Sequence, residues 1–228
     1  CELSRGLGDV YKRQFLDSTN IEEIREINKL GIIDGITTNP SLIAKSGKGF
    51  NQILKSICKE VKGPISAEVT AENFENMLSE AKILSKISKN IVIKLPLTFN
   101  GLKACKHLTK KNYKTNVTLC FTVPQAILAA KAGATYISPF IGRLDDIGQN
   151  GINLIKDIKK VFSNYTNFKT KILAASVRSI EHVTEVAKAG ADISTIPPHI
   201  FHQLYKHDLT DKGLKIFLED WEKSKQKI

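Results

Sequence analysis

The sequence predicts an α/β fold: a single-domain (β/α)8 (TIM) barrel with an extra amphipathic helix near its C-terminal end. Three observations lead there. First, eight short apolar runs occur near Phe15–Asp17, Gly35–Thr37, Ile65–Glu68, Ile91–Lys94, Thr115–Thr118, Tyr136–Ser138, Lys171–Ala174 and Asp192–Thr195, each followed by a helical pattern. Apolar runs without polar alternation read as strands buried on both faces, as in a parallel sheet. Second, the helical patterns carry start and stop residues where a strand-helix repeat needs them. Third, Ala130-Lys131-Ala132-Gly133-Ala134 recurs as Ala187-Lys188-Ala189-Gly190-Ala191, each time just before a predicted strand. That echo marks the same helix-Gly-strand joint twice. Eight such repeats on 228 residues fit a compact barrel. A doubly wound open sheet is the competing arrangement, but no G-x-G-x-x-G follows the first strand.

In order along the chain, residues 1–14 show no useful period and are expected to be a tail or expression artefact outside the fold, leaving residues 15–228 as the barrel. Asn20 with Glu23 forms a capping-box pattern, Ile21, Ile24 and Ile27 make the first apolar stripe, and Gly31 ends it. Pro40 opens a helical turn after Asn39, and Phe50, Ile53, Leu54, Ile57, Cys58 and Val61 repeat at helical spacing. Thr70 is expected to cap a helix whose Phe74, Met77, Leu78 and Ala81 share a face. Thr122 with Gln125 makes another box, closed by Gly133; Ile155, Ile158 and Phe162 mark the next helix; Ser179 caps the one after, ended by Gly190. Pro198 opens a helix with Ile200, Phe201, Leu204 and Tyr205 expected inward. Leu214, Phe217, Leu218 and Trp221 describe the extra helix, placed to cover the barrel or a neighbouring subunit.

The fourth strand stands out. Asn90 to Leu97 reads N-I-V-I-K-L-P-L, with five aliphatic residues flanking Lys94. An ammonium ion is costly to desolvate, and burial lowers its pKa towards a neutral amine that can attack a carbonyl. With lysine this abundant, a snorkelling surface lysine is the ordinary alternative.

Composition narrows the function. The net charge is +11 with pI ≈ 9.4. The lysines are dispersed, however, with no basic run interleaved with aromatics, so the charge favours anionic small molecules over nucleic acid. Only Arg5, Arg13, Arg25, Arg143 and Arg178 are arginines, so those positions are candidates for a planar fork. Cys1, Cys58, Cys105 and Cys120 form no C-x-x-C pair or metal spacing, which fits reduced thiols in a cytoplasmic protein. No apolar run approaches membrane-spanning length and no signal-peptide core is evident.

In a barrel of this type the active site lies at the C-terminal strand ends. Those ends carry Asp17, Thr37-Thr38-Asn39, Glu68, Lys94, Asn116 with Thr118, Ser138, and Ser176 with Arg178. Singly, each has an ordinary role: Asp17 or Asn39 as a helix cap, Glu68 as an ion-pair partner of Lys94. Together they bring carboxylates, an amine and hydroxyls to one mouth, the set a Schiff-base aldol reaction needs.

The stretches F-L-D-S-T-N, D-G-I-T-T-N-P-S-L-I, S-A-E-V, I-V-I-K-L-P-L-T, T-N-V-T-L, A-A-K-A-G-A-T-Y-I-S-P-F-I-G-R and L-A-A-S-V-R resemble the small-subunit transaldolase family, from Phe15 to about Trp221. The resemblance implies a class I aldolase-type barrel with no cofactor and no metal. It also implies a homo-oligomer (decamer or pentamer) acting on sugar phosphates. It implies Lys94 as Schiff-base lysine, Asp17 as acid/base, and Glu68 and Thr118 as holders of a proton-shuttling water. Thr38, Asn39, Asn116, Ser138 and Phe140 would line the substrate, and Arg143, Ser176 and Arg178 would bind its phosphate. The first motif departs slightly, with Ser18-Thr19 where Thr-Ala is usual. The implied activity is transfer of a dihydroxyacetone unit between sugar phosphates in the pentose phosphate pathway. Within the family, a fructose-6-phosphate aldolase is the alternative; its pattern has Tyr after the Ser/Ala-Pro pair and Gln at the strand-three position, where this chain has Phe140 and Glu68. An isomerase barrel and a non-catalytic nucleic-acid binder are more distant alternatives.

Overall fold

The computed structural model describes residues 12–47 and 49–227; residues 1–11 of the expected tail lie outside the described residues. Eight strands, β1 (Arg13–Asp17), β2 (Gly35–Thr37), β3 (Ile65–Glu68), β4 (Ile91–Pro96), β5 (Thr115–Cys120), β6 (Tyr136–Pro139), β7 (Lys171–Ala174) and β8 (Ile193–Ile196), pair in parallel and in sequence order into a closed barrel. Among the described residues the helices are α1 (Ile21–Asn28), α2 (Pro40–Lys45), α3 (Phe50–Glu60), α4 (Phe74–Ser85), α5 (Phe99–Lys110), α6 (Val123–Ala132), α7 (Ile141–Asp145), α8 (Gly151–Ser163), α9 (Ile180–Lys188), α10 (Pro198–Gln203) and α11 (Asp208–Ser224). The first strand begins two residues before the expected Phe15, with Arg13 and Gln14 opposite Ile193 and Ser194.

Strand alternation sorts every strand residue into barrel or shell. Phe15, Val92, Tyr136, Leu173 and Ile193 meet inside the barrel as one apolar layer. Their neighbours one residue on, such as Leu16, Ile93, Ile137 and Ala174, face the helices in the larger core. Two residues further along, the inner face becomes polar: Asp17 lies opposite Thr37, Glu68 opposite Lys94, and Lys94 opposite Asn116. The apolar layer is the floor of the site, and the polar layer is its lining.

Local signals placed most helix boundaries. Thr122 and Gln125 form a reciprocal capping box, and Gly133 and Gly190 adopt the left-handed conformation (φ 87 and 84) that ends a helix without steric cost. Asn20 caps α1 by accepting from the backbone of Glu22 and Glu23, although the Glu23 side chain does not return the bond. Two expectations are corrected. Asn73, not Thr70, caps α4, accepting from the Asn76 backbone at 2.9 Å. Thr70 is instead held through its backbone and hydroxyl by the Glu80 carboxylate, at 2.7 and 3.1 Å, because the chain needs three more residues to turn off β3. Leu204 and Tyr205, expected inward, are 38% and 58% exposed, because α10 stops at Gln203 and only its Pro198, Ile200 and Phe201 reach the core.

Helix α11 is amphipathic as expected but buries none of its residues; Phe217 is 74% exposed and Trp221 42%. Among the described residues no helix is long and apolar enough to cross a membrane. Cys58, Cys105 and Cys120 are free thiols, and burial pushes the Cys120 pKa up to about 12.

Candidate active site

Lys94 sits on the inner face of β4 and is only 4% exposed. Its Nζ donates to the Thr38 carbonyl at 3.0 Å and meets Glu68 Oε2 at 2.9 Å. Val92, two residues earlier on the same inner face, belongs to the apolar layer below, while the Lys94 head lies in the polar layer against Glu68 and the Thr38 carbonyl.

Asp17, at the end of β1, faces the same mouth. Thr37 Oγ1 lies 2.7 Å from both Asp17 Oδ1 and Thr195 Oγ1, so three strands share one hydrogen-bonded chain. Loss of water around the carboxyl raises the Asp17 pKa; the Thr37 hydroxyl and the Lys94 charge pull it back in part, and Glu68 pushes it further up. The cavity leaves an edge of Asp17 accessible, yet dense protein around the group governs its charge.

The rest of the polar layer is tied together. Ser138 Oγ donates to Asn116 Oδ1 at 2.8 Å, and Asn116 Nδ2 donates to Ser66 Oγ at 3.1 Å. Thr118 Oγ1 is buried with no hydrogen-bond partner among the described residues. Just past it, β5 bulges at Leu119, a non-glycine residue at φ 61, which turns Cys120 into the helix shell and ends the inward-facing pattern.

A cavity of about 200 Å³ collects Asp17, Asn39, Lys94 and Ser138 with Phe140, Arg143, Ser176 and Arg178. Arg143, on α7, stacks its guanidinium 4.9 Å from the Phe140 ring centroid, and Phe140 is itself edge-on to Phe121 at 6.1 Å. Ser176 has φ 58, a strained conformation for serine, and its carbonyl accepts from the Gly142 backbone at 3.1 Å. Asn39 caps α2, accepting from the Leu42 backbone at 3.0 Å. Two wider grooves beside Glu68, of about 440 and 650 Å³, have no lysine or arginine in their linings. A third groove of about 770 Å³ beyond Asp17 holds Arg25 and Lys45, whereas Arg143 and Arg178 share the smaller cavity with the buried amine.

The structure therefore brings together most residues read from the sequence, with one relocation and one omission. Thr38 is fully buried with its hydroxyl on the Ser66 carbonyl, facing the shell, and touches Lys94 only through its own carbonyl. Thr37 and Thr195 line the cavity in its place. Thr37 stands among the strand ends read from the sequence, and counting two residues along β8 from Ile193 would have found Thr195.

A closed parallel barrel with an amine buried in its C-terminal mouth and two arginines in the same cavity defines a (β/α)8-barrel protein with a cationic site at that mouth. The chain belongs to the Transaldolase/Fructose-6-phosphate aldolase family, whose sequence profile matches residues 14–228. It is 59% identical over 214 residues to a probable transaldolase of Bartonella tribocorum, covering 94% of this chain and 98% of that protein. Probable transaldolases of Brucella ovis and Rhizobium meliloti are each 58% identical over 214 residues, with the same coverage.

Proposed function

We propose that the protein is a transaldolase that carries a dihydroxyacetone unit on Lys94, taken from fructose 6-phosphate or sedoheptulose 7-phosphate and given to erythrose 4-phosphate or glyceraldehyde 3-phosphate. The observation that carries this reading is the buried amine of Lys94 in contact with Glu68, in a cavity shared with Asp17 and two arginines. Glu68 takes the proton that the ammonium must lose before it attacks the ketone. The carbinolamine then loses water to give a protonated imine, with Glu68 and the unpartnered Thr118 hydroxyl holding the water that shuttles the protons. Asp17 removes the donor's hydroxyl proton, the carbon–carbon bond breaks, an aldose phosphate leaves, and the bonding electrons settle on the imine nitrogen as an enamine. Attack of that enamine on the acceptor aldehyde reverses the steps. Asn39, Asn116 and Ser138 bind the hydroxyls of the three-carbon unit. The reading places the protein in the cytoplasm, within the pentose phosphate pathway. It includes a homo-oligomer in which the uncovered apolar face of α11 packs against another copy.

The deciding experiment is borohydride reduction in the presence of fructose 6-phosphate, followed by peptide mapping. A stable mass gain on the peptide carrying Lys94 is expected. Reduction that leaves the protein unmodified would remove this reading and favour a barrel that handles phosphates without a covalent intermediate.

Arg143 and Arg178 are the phosphate ligands in this scheme. Arg143→Ala and Arg178→Ala should each weaken sugar-phosphate binding by about 1.5–3 kcal/mol, the scale of hydrogen bonds to charged groups. Steady-state KM values for phosphorylated and free sugars check this, and equal losses for both would place the phosphate elsewhere.

Transfer is favoured over release by Phe140, which lines the cavity without a hydroxyl to organise the water that would hydrolyse the enamine. Fructose 6-phosphate alone should then yield little free dihydroxyacetone, and Phe140→Tyr should raise that release. Equal turnover with and without erythrose 4-phosphate in the unmodified protein would assign it to the aldolase side of its family.

A further inference from the structure

Helix α7 does more than carry Arg143: its residues form a bed for the second arginine. Gly142 and Asp146 stand one helical turn apart and so share a face. A Cβ built on Gly142 would come within 2.7 Å of Arg178 Nε and 2.4 Å of the Ser176 carbonyl, so Arg178 lies directly against the helix backbone there. Past Gly142 the guanidinium reaches Asp146, donating from Nη2 to Oδ2 at 2.8 Å and from Nη1 to Oδ1. Among the described residues Nε makes no hydrogen bond, which leaves the side edge of the guanidinium for a ligand.

The backbone at the same residue is held from the same helix. Asp145 accepts from the Gly151 backbone at 3.0 Å and meets His182 Nε2 at 3.2 Å. His182 Nδ1 in turn accepts from the Arg178 backbone at 3.3 Å, so Nε2 is the nitrogen that donates to Asp145. Two successive acids thus fix the two ends of one arginine, in a loop whose Ser176 is already in a strained conformation.

We propose that Asp146 is a positioning residue for phosphate recognition: it holds the Arg178 guanidinium on the Gly142 bed with one edge free, so that a sugar phosphate meets an ordered fork. This rests on the assignment of Arg178 as a phosphate ligand made above. A free arginine side chain must lose its rotamer freedom when phosphate binds; one already clamped by a carboxylate has lost it beforehand. The opposite consequence, that the carboxylate repels phosphate, is the one the experiment has to exclude.

The test compares Asp146→Ala and Asp146→Asn with the unmodified full-length protein, using fructose 6-phosphate, fructose, and inorganic phosphate as a competitive inhibitor. KM for fructose 6-phosphate and the inhibition constant for phosphate should both rise in Asp146→Ala, by roughly threefold to tenfold, the scale of freeing one rotamer-rich side chain. In Asp146→Asn, which keeps one acceptor oxygen, they should rise less. The kcat at saturation and the parameters for fructose should hold. In an Arg178→Ala background the Asp146 substitution should add nothing. A fall in KM or no change would overturn the proposal, as would an equal rise for fructose, which marks a purely structural role. If Arg178→Ala itself shows no phosphate-specific loss, the phosphate assignment fails instead, and the two failures are thereby told apart.

Discussion

Lys94→Met is expected to abolish transfer, lowering kcat by at least about 10⁴-fold, because removing a nucleophile disables every step that depends on it. Methionine matches the length of the lysine stem, so the side chain keeps its size and only the amine is lost. The effect on folding is separate and has its own cause. Lys94 faces Glu68 at 2.9 Å and also stabilises the Asp17 carboxylate, so its removal leaves two acids without their cation. Breaking a fully buried pair costs roughly 3–5 kcal/mol. The Glu68 side chain retains some exposure, at 13%, so the loss here should fall below that range. Adding Glu68→Gln to Lys94→Met should therefore restore part of the melting temperature without restoring any activity. Intact-protein mass spectrometry after borohydride reduction with fructose 6-phosphate is the check. A reducible adduct on a folded Lys94→Met protein would mean that another amine carries the substrate.

Much of this architecture is legible locally because a barrel strand is buried on both faces and therefore reads as an unbroken apolar run, as Ile91 to Ile93 do before Lys94. Helix ends at Asn39, Thr122, Ser179, Gly133 and Gly190 are equally local, since a cap is chosen by the chain segment it caps. What failed were choices that depend on distant partners. Thr70 and Asn73 both suit an N-cap, and the winner is set by how the chain leaves β3 and by Glu80 reaching back from α4. The apolar stripe of α11 shows that a face exists, not what it meets, and on its own barrel it meets nothing that buries it. Thr37 and Thr195 bond directly to each other across β1, beside Asp17, a neighbour relation fixed by register and closure rather than by either sequence segment. The fork between Arg178 and Asp146 spans 32 residues, and no local pattern announces it.

Asp17→Asn should separate the two halves of the reaction and, at the same time, make the protein more stable at neutral pH. In the proposed scheme Asp17 is the base that removes the hydroxyl proton as the carbon–carbon bond breaks, and an amide cannot take a proton. Loss of general-base catalysis should lower kcat by about 10²–10⁴-fold. Imine formation does not use Asp17, so fructose 6-phosphate should still load onto Lys94. Borohydride should then trap the intact six-carbon adduct, with the three-carbon adduct of the unmodified protein missing. The raised pKa fixes the remaining expectations. Because desolvation favours the protonated acid in the folded state, the acid limb of the pH–rate profile should lie above the ordinary carboxylate range in the unmodified protein. The same shift means that ionising Asp17 opposes folding: its stabilising contribution is complete below its unfolded-state pKa, about 3.9, and is lost as pH rises through the folded value. The amide of the Asp17→Asn variant carries no charge to desolvate and keeps an oxygen that can accept from Thr37. Thermal unfolding of the two proteins across pH should therefore show the variant melting higher at pH 7 and the difference closing as pH falls below the carboxylate range. Rapid appearance of the three-carbon adduct in Asp17→Asn would assign the base to another group.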